Sequence, residues 1–374
     1  MLSRLNLFAV ALAVLAFAGA LTEPAAAQLP TATGKQLALS NAAWKLFIPS
    51  TYVQRPDAVA DLLVHLHGDP QTFWNNAKYA NLNSLIVTVN YSGLSSAYQT
   101  PFSNASLLQT IVDEALAKAR LEANIPDNLQ LDKLALSTFS AGYAGAREIF
   151  KSASYRDQID SYLAADSIHA STAGDGTPLD AQMADFKTFA NLAKNGQKTF
   201  IHTHSQVPTS GYESTREVAD EMIQYLGATP TAVNQAGLGT LTYYRTAQTG
   251  NYKLWGTTGS DAATHSKHLQ YIGDFLEELP LARIPTQSAD FTKQGTVDAA
   301  DLALWQSSYG VNNLADANAD GASDGADFLA WQRQVNSGPP ASDANAVVVP
   351  EPVTLGCAWL AAFIALCHSQ RRFS

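Results

Sequence analysis

Ser140 has the sequence neighbours that a nucleophilic serine needs. It stands in TFSAG (138–142), between the apolar run KLALSTF and the small-residue segment AGYAGAREIF. A tight turn from a strand into a helix holds such a serine exposed, and the residues two before and two after it must be small. Gly142 meets this requirement, and Thr138 meets it more loosely than glycine. The alternative is a packed serine, which is what we expect of Ser137 within the strand.

Attack on a carbonyl also requires N–H donors for the oxyanion that forms. The backbone N–H of Ala141, at the start of the predicted helix, is one candidate. The segment HLHGDP ends another predicted strand in a His-Gly turn, which would direct the N–H of Asp69 towards the same place. The alternative is that Gly68 only ends the strand.

The base is expected to be a histidine late in the chain, because the order serine, acid, histidine applies to this kind of turn. Two candidates stand in THSKHLQYIGDFLEEL. We favour His265, which begins the last predicted helix, at the loop above Ser140. His268 lies one turn further and is expected to pack or to face solvent.

Of the serine, the histidine and the acid that orients the histidine, the acid is the residue that the sequence defines least clearly. Asp166, at the end of SYLAAD, is the first choice, followed by Glu213 and then Asp261. The next predicted strand, KTFIHTH, supplies the acid more often, but Gln206 occupies that position. The alternative for Asp166 is a helix cap at a strand end.

These residues are expected to be held by a mostly parallel sheet covered by helices on both faces. Near-continuous apolar strands that alternate with helices indicate this α/β architecture, in which ligands meet the carboxyl ends of the strands. The predicted strands are WKLFIP, ADLLVHLHG, SLIVTVNY, KLALSTF, SYLAAD, KTFIHTH and YKLWGTTG. Helical spacing of apolar residues marks SLLQTIVDEALAKARLEA, PLDAQMADFKTFANLAKNG, STREVADEMIQYLG and HSKHLQYIGDFLEEL.

In this order HLHGDP, STFSAGYAG, LAADSIH and THSKHLQYIGDFLEEL resemble the α/β-hydrolase superfamily, over about residues 31–283. The resemblance implies an eight-stranded sheet, Ser140 attacking a carbonyl, His265 moving the proton, and an acyl-enzyme hydrolysed by water without a cofactor. Thr138 and the missing acid after the seventh strand depart from the family pattern. No lid-like insertion follows the sixth strand, which favours a carboxylesterase acting on small esters. Carbohydrate-linked esters are suggested only by the dockerin-like repeat at 286–338, described below.

Two other functions remain open. His65 with His67, and His202 with His204, each place two histidines on one face of a strand, where they could hold the metal of a metal-dependent hydrolase. No further ligand follows either pair at a suitable spacing. The other alternative is a catalytically inactive, surface-displayed binding or structural protein.

A unit repeated every 26 positions, DFTKQGTVDAADLALWQ and DANADGASDGADFLAWQ, occupies the segment 286–338. Its second copy matches an EF-hand-type calcium loop, with Gly321 at the sharp turn. The oxygen ligands at positions 1, 3, 5, 9 and 12 of that loop are Asp316, Asn318, Asp320, Asp324 and Asp327.

The first copy is degenerate. It keeps Asp290, Asp298 and Asp301 but has Thr292 and Gln294 at ligand positions, so we expect it to bind calcium weakly or not at all. The alternative for both copies is an acidic turn without metal. The duplication resembles dockerin type I modules, which implies a protein partner, and it would form a small helical module.

Both ends of the chain carry export signals around the α/β domain at 28–285. Residues 1–27 have a positive charge, an apolar run and a small-residue cleavage site, which predict a signal peptide; a signal anchor is the alternative. After a linker at 339–348, residues 349–374 resemble a PEP-CTERM sorting tail with an apolar segment at 353–367. The tail implies membrane sorting machinery and an exported protein at the cell surface or outside it. A permanent C-terminal membrane anchor is the simpler reading.

Composition excludes one class of partner and one kind of stabilisation. The formal net charge of -10 and the lack of a basic run argue against nucleic-acid binding. Both cysteines, Cys357 and Cys367, lie in the tail, so the α/β domain has no disulfide framework.

Overall fold

The computed structural model describes residues 29–55, 57–284, 288–294, 296–318 and 321–335. These residues form two units, of which the first ends at Ile284. The predicted signal peptide, linker and sorting tail lie outside the described residues. Within the described ranges, no helix is long and apolar enough to cross a membrane.

The described part of the first unit is built on one ten-stranded sheet with the order β1-β2-β4-β3-β5-β6-β7-β10-β9-β8. Strands β4, β3, β5, β6, β7 and β10 are parallel, whereas β1 and β2 at one edge and β9 and β8 at the other pair antiparallel. The strands are β1 Gly34–Ala38, β2 Trp44–Pro49, β3 Val59–Leu66, β4 Ser84–Val89, β5 Gln130–Phe139, β6 Ile159–Ala165, β7 Thr199–His204, β8 Thr231–Ala236, β9 Thr242–Thr249 and β10 Tyr252–Thr257.

The central strands are apolar because both faces of the sheet are buried. In β3, Leu62 packs into a core under helices α3, α4, α6 and α7, and the next residue, Leu63, packs into the opposite core under α1, α8 and α9. The helices are α1 Pro70–Tyr79, α2 Ser95–Phe102, α3 Leu107–Ala119, α4 Tyr143–Phe150, α5 Ala153–Gln158, α6 Asp180–Lys194, α7 Thr215–Leu226, α8 Ala262–Gln270 and α9 Gly273–Leu276. This confirms the mixed α/β fold.

Two features differ from the expectations. The described sheet has ten strands, more than the eight that the resemblance implies. Besides the seven strands predicted from the sequence it contains the polar edge strand β1 and the β8–β9 hairpin, which give no apolar pattern. The last predicted helix is two helices, α8 and α9, and the helical dihedrals are lost at Tyr271. The second of these helices begins at Gly273, which lies so close to the ring of Tyr79 that a Cβ would be 2.6 Å from it.

The second unit contains two similar helices, α10 Ala299–Ser308 and α11 Gly325–Gln334. Each begins with the same capping box, in which Asp298 or Asp324 caps the helix and the residue three positions on bonds back to it. The indole N–H of Trp305 donates to the carbonyl of Asp324, and that of Trp331 donates to the carbonyl of Asp298, both at 2.8 Å. The sequence repeat is therefore a structural repeat with reciprocal contacts.

The turn after β5 packs directly on the end of β3. At Gly142 an added Cβ would lie 2.3 Å from the carbonyl oxygen of Leu66. The backbone of Gly142 is helical, so the close approach and not the dihedral angle requires glycine here.

We predict that Gly142→Ala lowers the free energy of unfolding by about 1 to 3 kcal/mol, because the new methyl group overpacks the contact with β3. Gly174→Ala is the matched control, since Gly174 is exposed and has nothing within 4 Å of an added Cβ. Urea unfolding of both variants measures the difference. Equal stabilities would contradict the prediction.

Candidate active site

Ser140 lies at the carboxyl end of β5 in a left-handed backbone conformation, with φ 47°. Such a conformation is uncommon for a residue other than glycine, and strain of this kind is concentrated at functional sites. The hydroxyl of Ser167 donates to the carbonyl of Ser140 at 2.9 Å and so holds the turn from the neighbouring loop. Thr138 is fully buried and its hydroxyl bonds to that of Tyr162 at 2.9 Å, which accounts for threonine where glycine is usual.

The structure brings His265 and Asp166 together. His265 Nδ1 lies 2.7 Å from Asp166 Oδ2, and because a carboxylate only accepts, Nδ1–H donates and Nε2 is left as the basic nitrogen. The imidazole of His265 stacks on Phe139, the residue before Ser140, with ring centroids 4.8 Å apart. Among the described residues no hydrogen bond joins Ser140 to His265. Hydrogen bonds of this kind often close only when substrate is bound.

Asp166 is buried but its carboxylate is fully partnered. Oδ1 accepts the N–H of Ser205 at 2.7 Å and the hydroxyl of Thr215, and Oδ2 accepts from His265. Burial alone would raise the pKa of Asp166, but the hydrogen bonds from His265 and the Thr215 hydroxyl hold that pKa well below its usual range. Asp166 has φ 42° and does not cap a described helix, so the alternative of a helix cap is wrong.

His268 is fully buried and belongs to a hydrogen-bond network that connects to the backbone of Asp166. The Asp166 N–H donates to Thr203 Oγ1 at 3.0 Å, and that hydroxyl lies 2.7 Å from His268 Nδ1. On the other side, His268 Nε2 lies 2.8 Å from Thr257 Oγ1, which donates to the carbonyl of His204. This chain is satisfied only by neutral His268 with its proton on Nε2, and burial lowers the pKa of His268 to about 4.

The two other candidate acids lie elsewhere. Asp261 caps α8, where its carboxylate accepts the N–H and the hydroxyl of Thr264. Glu213 bridges to Ala170, and its carbonyl accepts from the ring of His169. Asp166 alone of the three bonds to His265 through its carboxylate.

The predicted oxyanion donors, Asp69 and Ala141, follow the carboxyl ends of the neighbouring strands β3 and β5. The chain leaves β3 through two positive φ angles, 77° at His67 and 116° at Gly68. Asp69 follows as the exposed N-cap of α1, and its own N–H has no acceptor among the described residues. Ala141 is buried in the short helical turn that follows Ser140.

The structure does not bring the two histidine pairs together. His65 stacks on Phe73 under one face of the sheet, whereas His202 bonds to Tyr252 on the opposite face. Within the described ranges, no group of three or more His, Cys, Asp or Glu side chains is placed to hold a metal ion. The described residues of the two predicted calcium loops likewise include no such group. Asp320, a predicted ligand of the second loop, lies outside the described residues.

A cavity of about 280 Å³ opens beside Ser140, and sequence reasoning missed its aromatic lining of Tyr143, His169 and Tyr212. His169 follows Asp166 by three residues in DSIHA, which is the signal that could have identified it. A larger cavity of about 530 Å³, lined in part by Tyr243, contains neither Ser140 nor His265.

No protein-family model matches the chain, and no curated protein matches its sequence. Among solved structures, it is similar to a feruloyl esterase module from Clostridium thermocellum, with a TM-score of 0.39 and 12% identity over 68% of this chain and 95% of that one. It is also similar to a siderophore hydrolase from Aspergillus nidulans, with a TM-score of 0.35 and 14% identity over 70% of this chain and 99% of that one. An esterase from an Arctic intertidal metagenomic library matches with a TM-score of 0.35 and 13% identity over 67% of this chain and 93% of that one. Two of the three are described as esterases, the class that the sequence predicts. At these values the neighbours assign neither a family nor a substrate.

We predict that His268 makes the fold sensitive to acid. Because its folded pKa of about 4 lies below its ordinary value of 6.5, its contribution to stability is complete above pH 6.5 and is lost as the pH falls towards 4. His268→Gln should therefore be less stable near neutral pH and lose less stability over that interval. Urea unfolding at several pH values measures both slopes, and parallel slopes would show that His268 does not contribute. His65 and His202, whose pKa values burial lowers to about 3, remain in both proteins.

Proposed function

We propose that this protein is an exported serine hydrolase of the α/β-hydrolase type, a carboxylesterase that acts on small or carbohydrate-linked esters. The observation that carries the proposal is the 2.7 Å bond between His265 and buried Asp166, beside a strained serine at the end of β5. The serine, the acid and the histidine occur in the chain order that this chemistry uses. Export is supported by the sequence of residues 1–27.

The proposed reaction has two halves. His265 Nε2 takes the proton of Ser140 Oγ while Oγ bonds to the carbonyl carbon of the ester, and the carbonyl oxygen becomes an oxyanion. The N–H groups of Ala141 and Asp69 are the proposed donors to it. His265 then gives the proton to the alcohol oxygen as the C–O bond breaks, which leaves an acyl group on Ser140.

Water reverses these roles in the second half. His265 takes a proton from water as the water oxygen attacks the acyl carbon, and returns it to Ser140 when the acid leaves. Asp166 stays ionised throughout and stabilises the imidazolium that forms twice. Its low pKa fits this role, because the carboxylate holds its charge at neutral pH.

We predict that a fluorophosphonate probe labels the wild type and that Ser140→Ala abolishes both labelling and ester hydrolysis. Ser137→Ala is the matched control, since Ser137 lies three residues earlier, is fully buried and bonds to His65. Asp166→Asn should retain labelling at a lower rate, with kcat reduced by about 10³- to 10⁴-fold, because the amide no longer favours the required tautomer.

Three outcomes would contradict this proposal or part of it. A folded wild type that is neither labelled nor active would favour an inactive binding or structural protein. Hydrolysis that is lost in His268→Ala but kept in His265→Ala would reverse the assignment of the base. Activity lost to a chelator would point to a metal-dependent reaction.

We further propose that the second loop of the repeat binds calcium, and that the repeat and the C-terminal tail serve a protein partner and membrane sorting machinery. Oxygen-bearing side chains stand at the ligand positions of the loop, and calcium prefers oxygen ligands. Gly321 has φ 92°, and its N–H donates to Asp316 Oδ2 at 2.8 Å, which supports the sharp turn that such a loop needs. Asp327, at the last ligand position, is buried.

We predict that calcium raises the unfolding temperature of the second unit in the full chain, and that Asp316→Ala abolishes this rise because it removes the first ligand. Asp290→Ala, the equivalent change in the degenerate loop, should leave most of it. Calorimetry with calcium and with a chelator measures both. An equal calcium effect in Asp316→Ala and the wild type would sink the proposal.

A further inference from the structure

The cavity beside Ser140 has a wall of three aromatic rings with His169 in the middle. The centroid of its imidazole lies 5.4 Å from that of Tyr143 and 5.3 Å from that of Tyr212, and both pairs are edge to face. The loop that carries Tyr212 is joined to the His169 loop by the bridge between Ala170 and Glu213. The wall is therefore formed by two connected loops and the first residue of α4.

The protonation of His169 follows from its partner. Nδ1 lies 3.1 Å from the backbone carbonyl of Glu213, which can only accept, so Nδ1 carries the proton. Burial lowers the pKa of His169, which keeps the ring neutral at neutral pH. Nε2 is then an acceptor, and it has no hydrogen-bond partner among the described residues.

The guanidinium of Arg147 fixes the wall from behind. It lies over the ring of Tyr143, 4.9 Å from the centroid, and donates to the carbonyl of His169. The first contact holds the ring of Tyr143 and the second holds the backbone of His169. The cavity thus presents aromatic rings and the acceptor Nε2 of His169, together with the hydroxyl groups of Ser95 and Ser140. A volume of about 280 Å³ is at the low end for ligand pockets and suits a single ring.

We propose that His169 determines specificity, and that the preferred substrates are esters in which a single ring beside the scissile bond carries a hydroxyl group that donates to His169 Nε2. The tyrosine rings contact the ring of the substrate, and the acceptor selects its hydroxyl. A hydroxyaryl group and a sugar share this chemistry. The inference rests on the proposed function, because it takes Ser140 as the nucleophile.

Two matched pairs of esters test the inference and separate the two sources. Methyl 4-hydroxyphenylacetate is compared with methyl phenylacetate, and methyl 6-O-acetylglucopyranoside with cyclohexylmethyl acetate. For at least one pair we expect kcat/KM to be about three- to tenfold higher for the hydroxylated member, which is the effect of one neutral hydrogen bond. The pair that shows the preference identifies the kind of ring.

Variants assign the preference to His169. His169→Phe keeps a flat ring but removes the acceptor, so the ratio within the selective pair should fall to about one. His169→Gln, whose side-chain carbonyl can accept, should restore part of it. Tyr212→Phe keeps the ring face and should leave the ratio unchanged.

Several results would overturn the inference. They are ratios near one for both pairs in the wild type, an unchanged ratio in His169→Phe, or a ratio lost in Tyr212→Phe but kept in His169→Phe. Labelling of Ser140 by the fluorophosphonate probe checks that each variant retains a folded site. If the wild type is not labelled and hydrolyses none of the four esters, the proposed function fails, and this inference fails with it.

Discussion

The buried carboxylate of Asp166 is the point on which the arrangement of the site depends. Ionised and removed from water, it is stable only while donors surround it, and these come from the end of β7, the start of α7 and the first turn of α8. Its backbone N–H adds a link to Thr203, and through His268 the connection reaches β10. One charge thus fixes the relative positions of three strand ends and two helices.

The strained backbone positions near the site lie at the ends of strands that are packed between the two hydrophobic cores. Positive φ angles occur at Ser140, Asp166 and His67, at the carboxyl ends of three adjacent strands. Each such residue costs on the order of 1 to 3 kcal/mol, and the fully buried strands beneath them resist relaxation. The rigid layer of buried strands below the site supports it, whereas the half-exposed His265 above that layer is the residue proposed to take part in the reaction.

The seven apolar strands were predictable, because a sheet buried on both faces leaves a continuous pattern in the sequence. The β8–β9 hairpin was not, since β8 is an exposed edge and its residues TAVNQA are mostly polar or small. Sequence neighbours and chain order were enough to select Ser140, Asp166 and His265 as candidates. The distances between these residues in the fold could not be predicted in this way. The proposed role of His169 depends on its bond to the backbone carbonyl of Glu213, 44 residues further along the chain. No local sequence pattern encodes this contact.

The paired indole bonds of the second unit make its two copies mutually dependent. Each tryptophan donates to the carbonyl of the residue that caps the other copy's helix, so one copy alone would leave its indole N–H without this acceptor. The two halves therefore stabilise each other through these bonds. The degenerate first copy is thus tied to the second by bonds to backbone carbonyls, which do not depend on the side chains that would bind calcium.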